Sequence, residues 1–379
     1  MIANPNDIDR DEWRLLMESS PNVSWFQSPE AYDFFCSLPE MMTPFVVAVS
    51  GQRPIGNIEQ LKDTERLTGP EQSKDIEQLK DIEQLKGPEQ LKGLCVGYVT
   101  REKNPIKQFF TRRAIIYGGP LLSAEITEDE LRELLNAITN PKTTQTSSHL
   151  PLTGTRAPIY IETRNFSDYS RWRRVFEECG FEYKPHYDMF IHCSSREVMT
   201  SRIHESKLRQ IRKAEAEGVE ITEAQTSAEV TDFYRLLSDL YRTKVRTPLF
   251  PLEFFAKFVE QRRGVLLLAR KPSAQHSGQY DLIGGMLCPR IEGKVLYEWY
   301  VVGPAVVTWA AMDYANRHGI PLFDLMGAGE PDVPYGVRDF KLQFGGELRE
   351  YGRFLNIRKR LLYGLGKWVM TILRKQKHQ

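Results

Sequence analysis

Apolar residues recur along this chain at two spacings, and the changes between them give an order of elements. In the second half, "SAEVTDFYRLLSDLYRT" and "PLEFFAKFVEQRR" carry apolar residues every three or four positions, which predicts two helices with one buried face each. The runs "GVLLLAR", "YDLIGGMLCPRI" and "KVLYEWYVVG" follow at strand length. Helix "AVVTWAAMDYANRHG", strand "IPLFDLM", helix "YGVRDFKLQF" and strand "ELREYGRFLNI" complete that half. The first half repeats the order more loosely. Helices "DEWRLLMES" and "PEAYDFFCSL" precede strands around Val46, Val96 and Ile115, and then come helix "EDELRELLNAI", strand "APIYIET", helix "YSRWRRVFEECG" and strand "FEYKPHYDMFIHC". The Thr/Ser-rich "PKTTQTSSHLPLTGT" reads as a loop. Two copies of one mixed α/β unit are therefore expected, 1–190 and 191–357, with a ligand cleft between them.

Within the first unit, six hexads run from Ile58 to Gly93, beginning "IEQLKD" and ending "PEQLKG". A period of six matches no helical seam, and Gly69, Pro70, Gly87 and Pro88 interrupt any helix. The run lies between two strand-like segments, so it reads as a low-complexity loop insert, 58–93, on a hairpin.

Composition narrows the classes. The chain has 379 residues, 41% apolar and 27% charged, which suits two globular cores. With 51 basic against 50 acidic residues, an anionic partner has to be met by a local patch. The polar start "MIANPNDIDRDEW" is no secretory signal, and no run approaches the roughly 18 apolar residues of a membrane span, so a cytoplasmic location is expected. Five scattered cysteines, none spaced C-x-x-C, argue against a disulfide framework and a zinc site. No metal or cofactor is expected.

One residue breaks the binary pattern. On a helix over "YGVRDFKLQF", Val337, Phe340 and Phe344 share an apolar stripe, and Lys341 lies inside it. Either its stem covers apolar surface, or a cation has been placed in a partly dry cleft.

Four segments, "SWFQSPEAYDFF", "YGGPLL", "SKLRQIRKAEAEGVEI" and "FDLMGAGEPDVPYGVRDFKLQFGGE", together resemble the FemABX-like peptidyltransferases. The resemblance implies an α/β fold of two tandem GNAT-like acyltransferase domains with a central cleft. It also implies N-acyl transfer, an aminoacyl group passing from aminoacyl-tRNA directly to an amine of a cell-wall precursor. Phe340 and Lys341 match the family's Phe-Lys, which gives Lys341 the task of facing the donor's anionic end or the developing oxyanion. Asp324, inside an apolar strand, and Asp332, after the glycine turn, are the candidate bases. Lys207, Arg209, Arg212 and Lys213 on one helix, Lys244 and Arg246 in "RTKVR", and Arg338 are the candidate substrate cations, and Tyr300 is either a hydrogen-bond donor or core. The family's early lysine is missing: Phe34 and Phe35 stand near its place, which speaks against recognition of a nucleotide-linked muropeptide.

Two other functions stay open. An acyl-CoA-dependent N-acyltransferase acting on an amino sugar or other cell-envelope amine needs a glycine-rich phosphate loop. Neither "YVVGPAVVTW" nor "IYGGPLLSAE" has the Arg/Gln-x-x-Gly-x-Gly/Ala form. A non-catalytic membrane-surface protein is suggested by the basic tail 358–379, whose apolar residues share one helix side and are expected either to touch anionic lipid or to dock on the first domain.

Overall fold

A computed structural model describes residues 7–52, 89–140, 150–153, 157–245, 247–276 and 278–366. The first half supplies strands β1 (Met42–Gln52), β2 (Glu89–Thr100), β3 (Arg113–Gly118), β4 (Leu121–Leu122), β5 (Tyr160–Asn165) and β6 (Glu182–Lys184). The second supplies β7 (Tyr187–His192), β8 (Glu220–Glu223), β9 (Gly264–Pro272), β10 (Tyr280–Ile291), β11 (Val295–Tyr297), β12 (Tyr300–Val302), β13 (Leu322–Gly327), β14 (Glu347–Glu350) and β15 (Arg353–Ile357). They form two mixed sheets. The first has the order β1-β2-β3-β5-β15-β6 with β4 against β2; the second has the order β14-β7-β13-β11-β10-β9-β8 with β12 against β10.

The two lobes exchange strands. β15 inserts between β5 and β6 of the first sheet, while β7 inserts between β13 and β14 of the second. The expected single strand "FEYKPHYDMFIHC" is therefore two, β6 and β7, parted at Pro185–His186 and belonging to different sheets. The residues divided at 190/191 lie inside β7, and 353–357 returns to the first lobe. Apolar periodicity marks a strand but carries no information on which sheet it joins.

The hexads end sooner than expected. Residues 89–93 belong to β2, with Gln52 opposite Glu89 and Ser50 opposite Leu91; the remainder of the insert lies outside the described residues. Leu91 and the stem of Lys92 are buried, and Lys92 Nζ meets Glu125 at 2.9 Å, which makes pairing more favourable than a loop.

Where the lobes face one another, aromatic residues from both halves pack together. Trp25, Phe26 and Phe34 touch Phe254, Phe258 and Trp299, with Phe26–Trp299 centroids 5.0 Å and Phe34–Phe254 centroids 5.2 Å apart. Phe34 and Phe35 are core residues, so the place where a family lysine would stand is used for packing here.

Each sheet opens one wedge. β11 runs parallel to β13 over Val295–Tyr297, but β12, two residues on, pairs with β10 instead. In the first sheet β3 runs parallel to β5, and past Gly118 the chain leaves for β4, which pairs with β2. A wedge leaves peptide groups that no ladder can satisfy, so something must fill it.

Candidate active site

The first wedge is sealed by uncharged side chains. Gln27, fully buried, donates from Nε2 to the carbonyls of Gly118 at 3.2 Å and Gly119 at 2.9 Å. Its Oε1 accepts from Ser24 N at 2.6 Å. The Tyr169 hydroxyl lies 2.7 Å from the carbonyls of both Gly118 and Pro120, and Asn22 Nδ2 also donates to Pro120. Gly118 has φ 79°, and a Cβ there would stand 2.2 Å from Ser24 Oγ, so only glycine brings the backbone this close. Gln27→Ala should lower unfolding stability by about 2–4 kcal/mol, because several buried polar groups lose partners at once. Its kcat, measured on the folded fraction, should stay near the parent's, since this wedge holds no reacting group; a large drop would oppose that assignment.

The second wedge is filled by a charge. Lys341, on helix Gly336–Leu342, is only 6% exposed, and its ammonium donates to the carbonyls of Leu325 and Gly327 while pairing with Glu298 Oε1 at 3.1 Å. Three acceptors match its three protons. The carbonyls flank a bulge in β13 at which Met326 has φ 57°, and Met326 N donates to Asp324 Oδ1 at 2.6 Å. The ammonium is turned inward, onto the strand's unpaired carbonyls and a buried carboxylate.

Three acids surround that lysine. Burial raises the Glu298 carboxyl despite the opposing effect of Lys341. Burial and the neighbouring Asp188 raise Asp324 well above its ordinary value. Asp188 is pushed up to about 7 by burial, against the pull of Lys341. Its Oδ1 accepts from Met189 N at 3.1 Å, and Oδ2 is buried with no hydrogen-bond partner among the described residues.

A second charged group adjoins the first at Gly327, where a Cβ would lie 3.1 Å from His186 Nε2. Glu162 binds Arg353 at 2.9 Å and Arg164 at 3.1 Å, and Arg164 donates to the Tyr117 hydroxyl at 2.8 Å. Burial and Arg353 push His186 down to about 3, so the imidazole is neutral and its Nε2 accepts from Arg353 at 2.8 Å.

The structure places Lys341 and Asp324 in one buried group and sets Lys207 against Phe340. Lys207, buried, has Nζ 4.3 Å from the Phe340 ring centroid, and burial lowers its pKa. Arg209, Arg212 and Lys213 are exposed, on helix positions other than those of the buried Lys207 and Ile211. Lys244 is exposed in the π-turn Tyr241–Val245, and Arg246 lies outside the described residues. Asp332 is exposed on the loop that Arg338 holds through the carbonyls of Glu330 at 2.8 Å and Val333 at 2.6 Å; neither residue points into the wedge's ion group. Tyr300 packs against Trp299 and Tyr241 in the aromatic seam, and burial raises its phenol well above the ordinary value. Sequence reasoning missed Glu298, Asp188 and Gln27. The signal was present for the first two, single acids inside the apolar runs "LYEWYVV" and "HYDMFIH". Just before helix Ala305–Arg317, Gly303 (φ 124°) packs close on the Cα of Gly284, where a Cβ would stand 2.7 Å away.

The sequence matches no protein-family model and no curated protein. Among solved structures it is similar to FemX, with 12% identity, TM-score 0.60, and 96% of this chain and 99% of that chain covered. It is similar to a conserved protein of unknown function from Bacteroides thetaiotaomicron at 10% identity, TM-score 0.50 and coverage of 94% and 99%. L-PGS from Bacillus licheniformis matches at 11% identity, TM-score 0.48 and coverage of 73% and 85%. Together with the paired wedges and sheet orders, the first of these matches shows the fold: the chain is built, like FemX, as two tandem GNAT-like α/β domains.

Proposed function

We propose that the protein is an N-acyltransferase working at the second-lobe wedge, where an aminoacyl group passes from aminoacyl-tRNA to an amine of a cell-wall precursor. The observation that supports this most is the difference between the wedges. One is closed by neutral amide and phenol groups, whereas the other holds an ammonium, three buried carboxyls and, in β12, a strand paired with β10 on one edge. An extended donor can lie along the other edge of β12, where peptide N–H groups polarise its carbonyl.

The amine attacks the ester carbonyl, a C–N bond forms, the C–O bond to the carrier breaks, and the amine loses a proton. No enzyme nucleophile is needed when alignment alone contributes roughly 7–11 kcal/mol. Cys288 suits this reading, because its thiol is buried and raised well above the usual value, which makes it a poor nucleophile. Asp188, pushed up to about 7 by burial and with Oδ2 unpartnered, takes the role of proton acceptor.

The test is turnover with aminoacyl-tRNA carrying a labelled amino acid, set beside labelled acyl-CoA, each with muropeptide and amino-sugar amines. Labelled amide from the tRNA donor alone is expected. Product from acyl-CoA alone would replace the donor assignment, and no product from either would defeat the reading.

A further inference from the structure

Helix Pro105–Thr111 is built inside out. Its polar Gln108 faces the protein, where Nε2 donates to the Thr100 carbonyl at 2.9 Å and Oε1 accepts from Glu102 N. Its apolar residues face outward: Ile106 is 71% exposed, Phe109 52% and Phe110 45%, and the two phenylalanine rings touch only edge to face at 5.1 Å. A seven-residue helix gains nothing in water from that orientation.

The strand exchange places a second segment beside it. Arg112, just past this helix, has its carbonyl bonded to Ile159 N at 2.9 Å, and the Ile159 carbonyl in turn accepts from Arg358 N at 2.9 Å and Lys359 N at 3.0 Å. Residues 360–366 are helical and start from this point, with Leu361 90% and Leu365 44% exposed, and with Tyr363 edge-on to Tyr160 at 5.4 Å. Segments about 250 residues apart in sequence thus share one end of the first sheet. Together, 103–113 and 358–366 hold seven lysines and arginines and no acid. The crowding shows at Lys359, whose pKa falls through burial and then through Arg112 and Arg358.

We propose that this end of the first lobe, Ile106, Phe109 and Phe110 together with Leu361 and Leu365 on two basic segments, docks on an anionic lipid bilayer. Exposed aromatic and leucine side chains reach the acyl boundary while the lysines and arginines meet headgroup phosphates. Charge complementarity selects this occupant, since the two segments carry seven lysines and arginines and no acid. Among the described residues no helix is long and apolar enough to cross a membrane, so the contact is interfacial.

The full chain is sedimented with vesicles of phosphatidylcholine alone and of phosphatidylcholine with equal phosphatidylglycerol. It should pellet only with the anionic vesicles, and less so as salt rises. Phe109→Ser/Phe110→Ser should lower the partition coefficient about tenfold, and Leu361→Ser should lower it several-fold, each with an unchanged thermal melt. A parent that stays in the supernatant, or a double phenylalanine variant that pellets as the parent does, overturns the proposal. So does a chain ending at Gly366 that pellets when the parent does not, because the face would then belong to the protein's own C-terminal residues.

Discussion

Lys341→Met is expected to remove about 3–5 kcal/mol of unfolding stability at pH 8, and turnover of the protein that remains folded should fall roughly a hundredfold. The stability loss follows from what the ammonium leaves behind. Glu298 loses its ion pair at 3.1 Å, the Leu325 and Gly327 carbonyls lose their donor, and Glu298 and Leu325 are buried. The sign with pH follows from the same groups. Their carboxyl pKa values already stand above the ordinary range in the folded protein, and removal of the cation raises them further. An acid with a raised folded pKa contributes its full stability below its unfolded pKa, about 4, and loses it as pH rises through the folded value. The deficit of the variant should therefore be small near pH 5 and grow toward pH 8. Adding Glu298→Gln should restore part of it, since the orphaned charge is then gone. Turnover should fall because the β13 bulge, which shapes one wall of the wedge, loses its clamp. A variant with parental stability at both pH values would return Lys341 to the simpler role of a stem covering apolar surface.

The contrast between lysine and its surroundings shows what sequence carries and what it does not. Period and length revealed two repeated mixed units, because buried helix faces and strand runs leave local patterns. Lys341 stood out for the same reason, as a cation inside an apolar stripe. Its partners are set by the wedge, and a wedge is a divergence between strands 25 residues apart in sequence, with no local signature. Glu298, between β11 and β12, and Asp188, on β7, meet near Lys341 only because β7 enters the second sheet. The exchange of β7 and β15 was itself illegible, as either strand's apolar pattern fits either sheet. Gln27 was quoted as part of a motif, yet its use as a plug depends on Gly118 and Gly119, some 90 residues away. Arg209, Arg212 and Lys213 cluster on an exposed helix face, and clustering alone does not separate a solvated face from one that meets an anion.

Glu162→Gln is the second change expected to cost about 3–5 kcal/mol at pH 7, and it tests the exchange of strands directly. Arg353 on β15 stands opposite Arg164 on β5, like charges in register, and Glu162 binds both. With a neutral amide in its place, two partly buried guanidiniums face one another across the junction that holds β15 in the first sheet. Arg353 is also the donor to His186, the residue at which the chain crosses between sheets, so the loosening should reach both lobes. The two arginines hold the Glu162 carboxyl down at about 2 against the effect of burial. An acid with a depressed pKa contributes stability above its unfolded value, near 4.5, and loses it as pH falls through the folded value. The gap between parent and variant should hence be full at pH 7 and shrink as pH falls from about 4.5 toward 2. Hydrogen exchange adds the location: Phe354 N, bonded to Thr163 Oγ1 at 3.0 Å in the parent, should exchange faster in the variant than amides of β10. Replacing Glu162, Arg164 and Arg353 together by leucine and methionine should recover most of the loss, because apolar groups of like size need no counter-charge. Equal stability of parent and Glu162→Gln at pH 7 would mean that β15 is held by its ladder and by Phe354 stacked on Phe176, and that the ion group adds nothing.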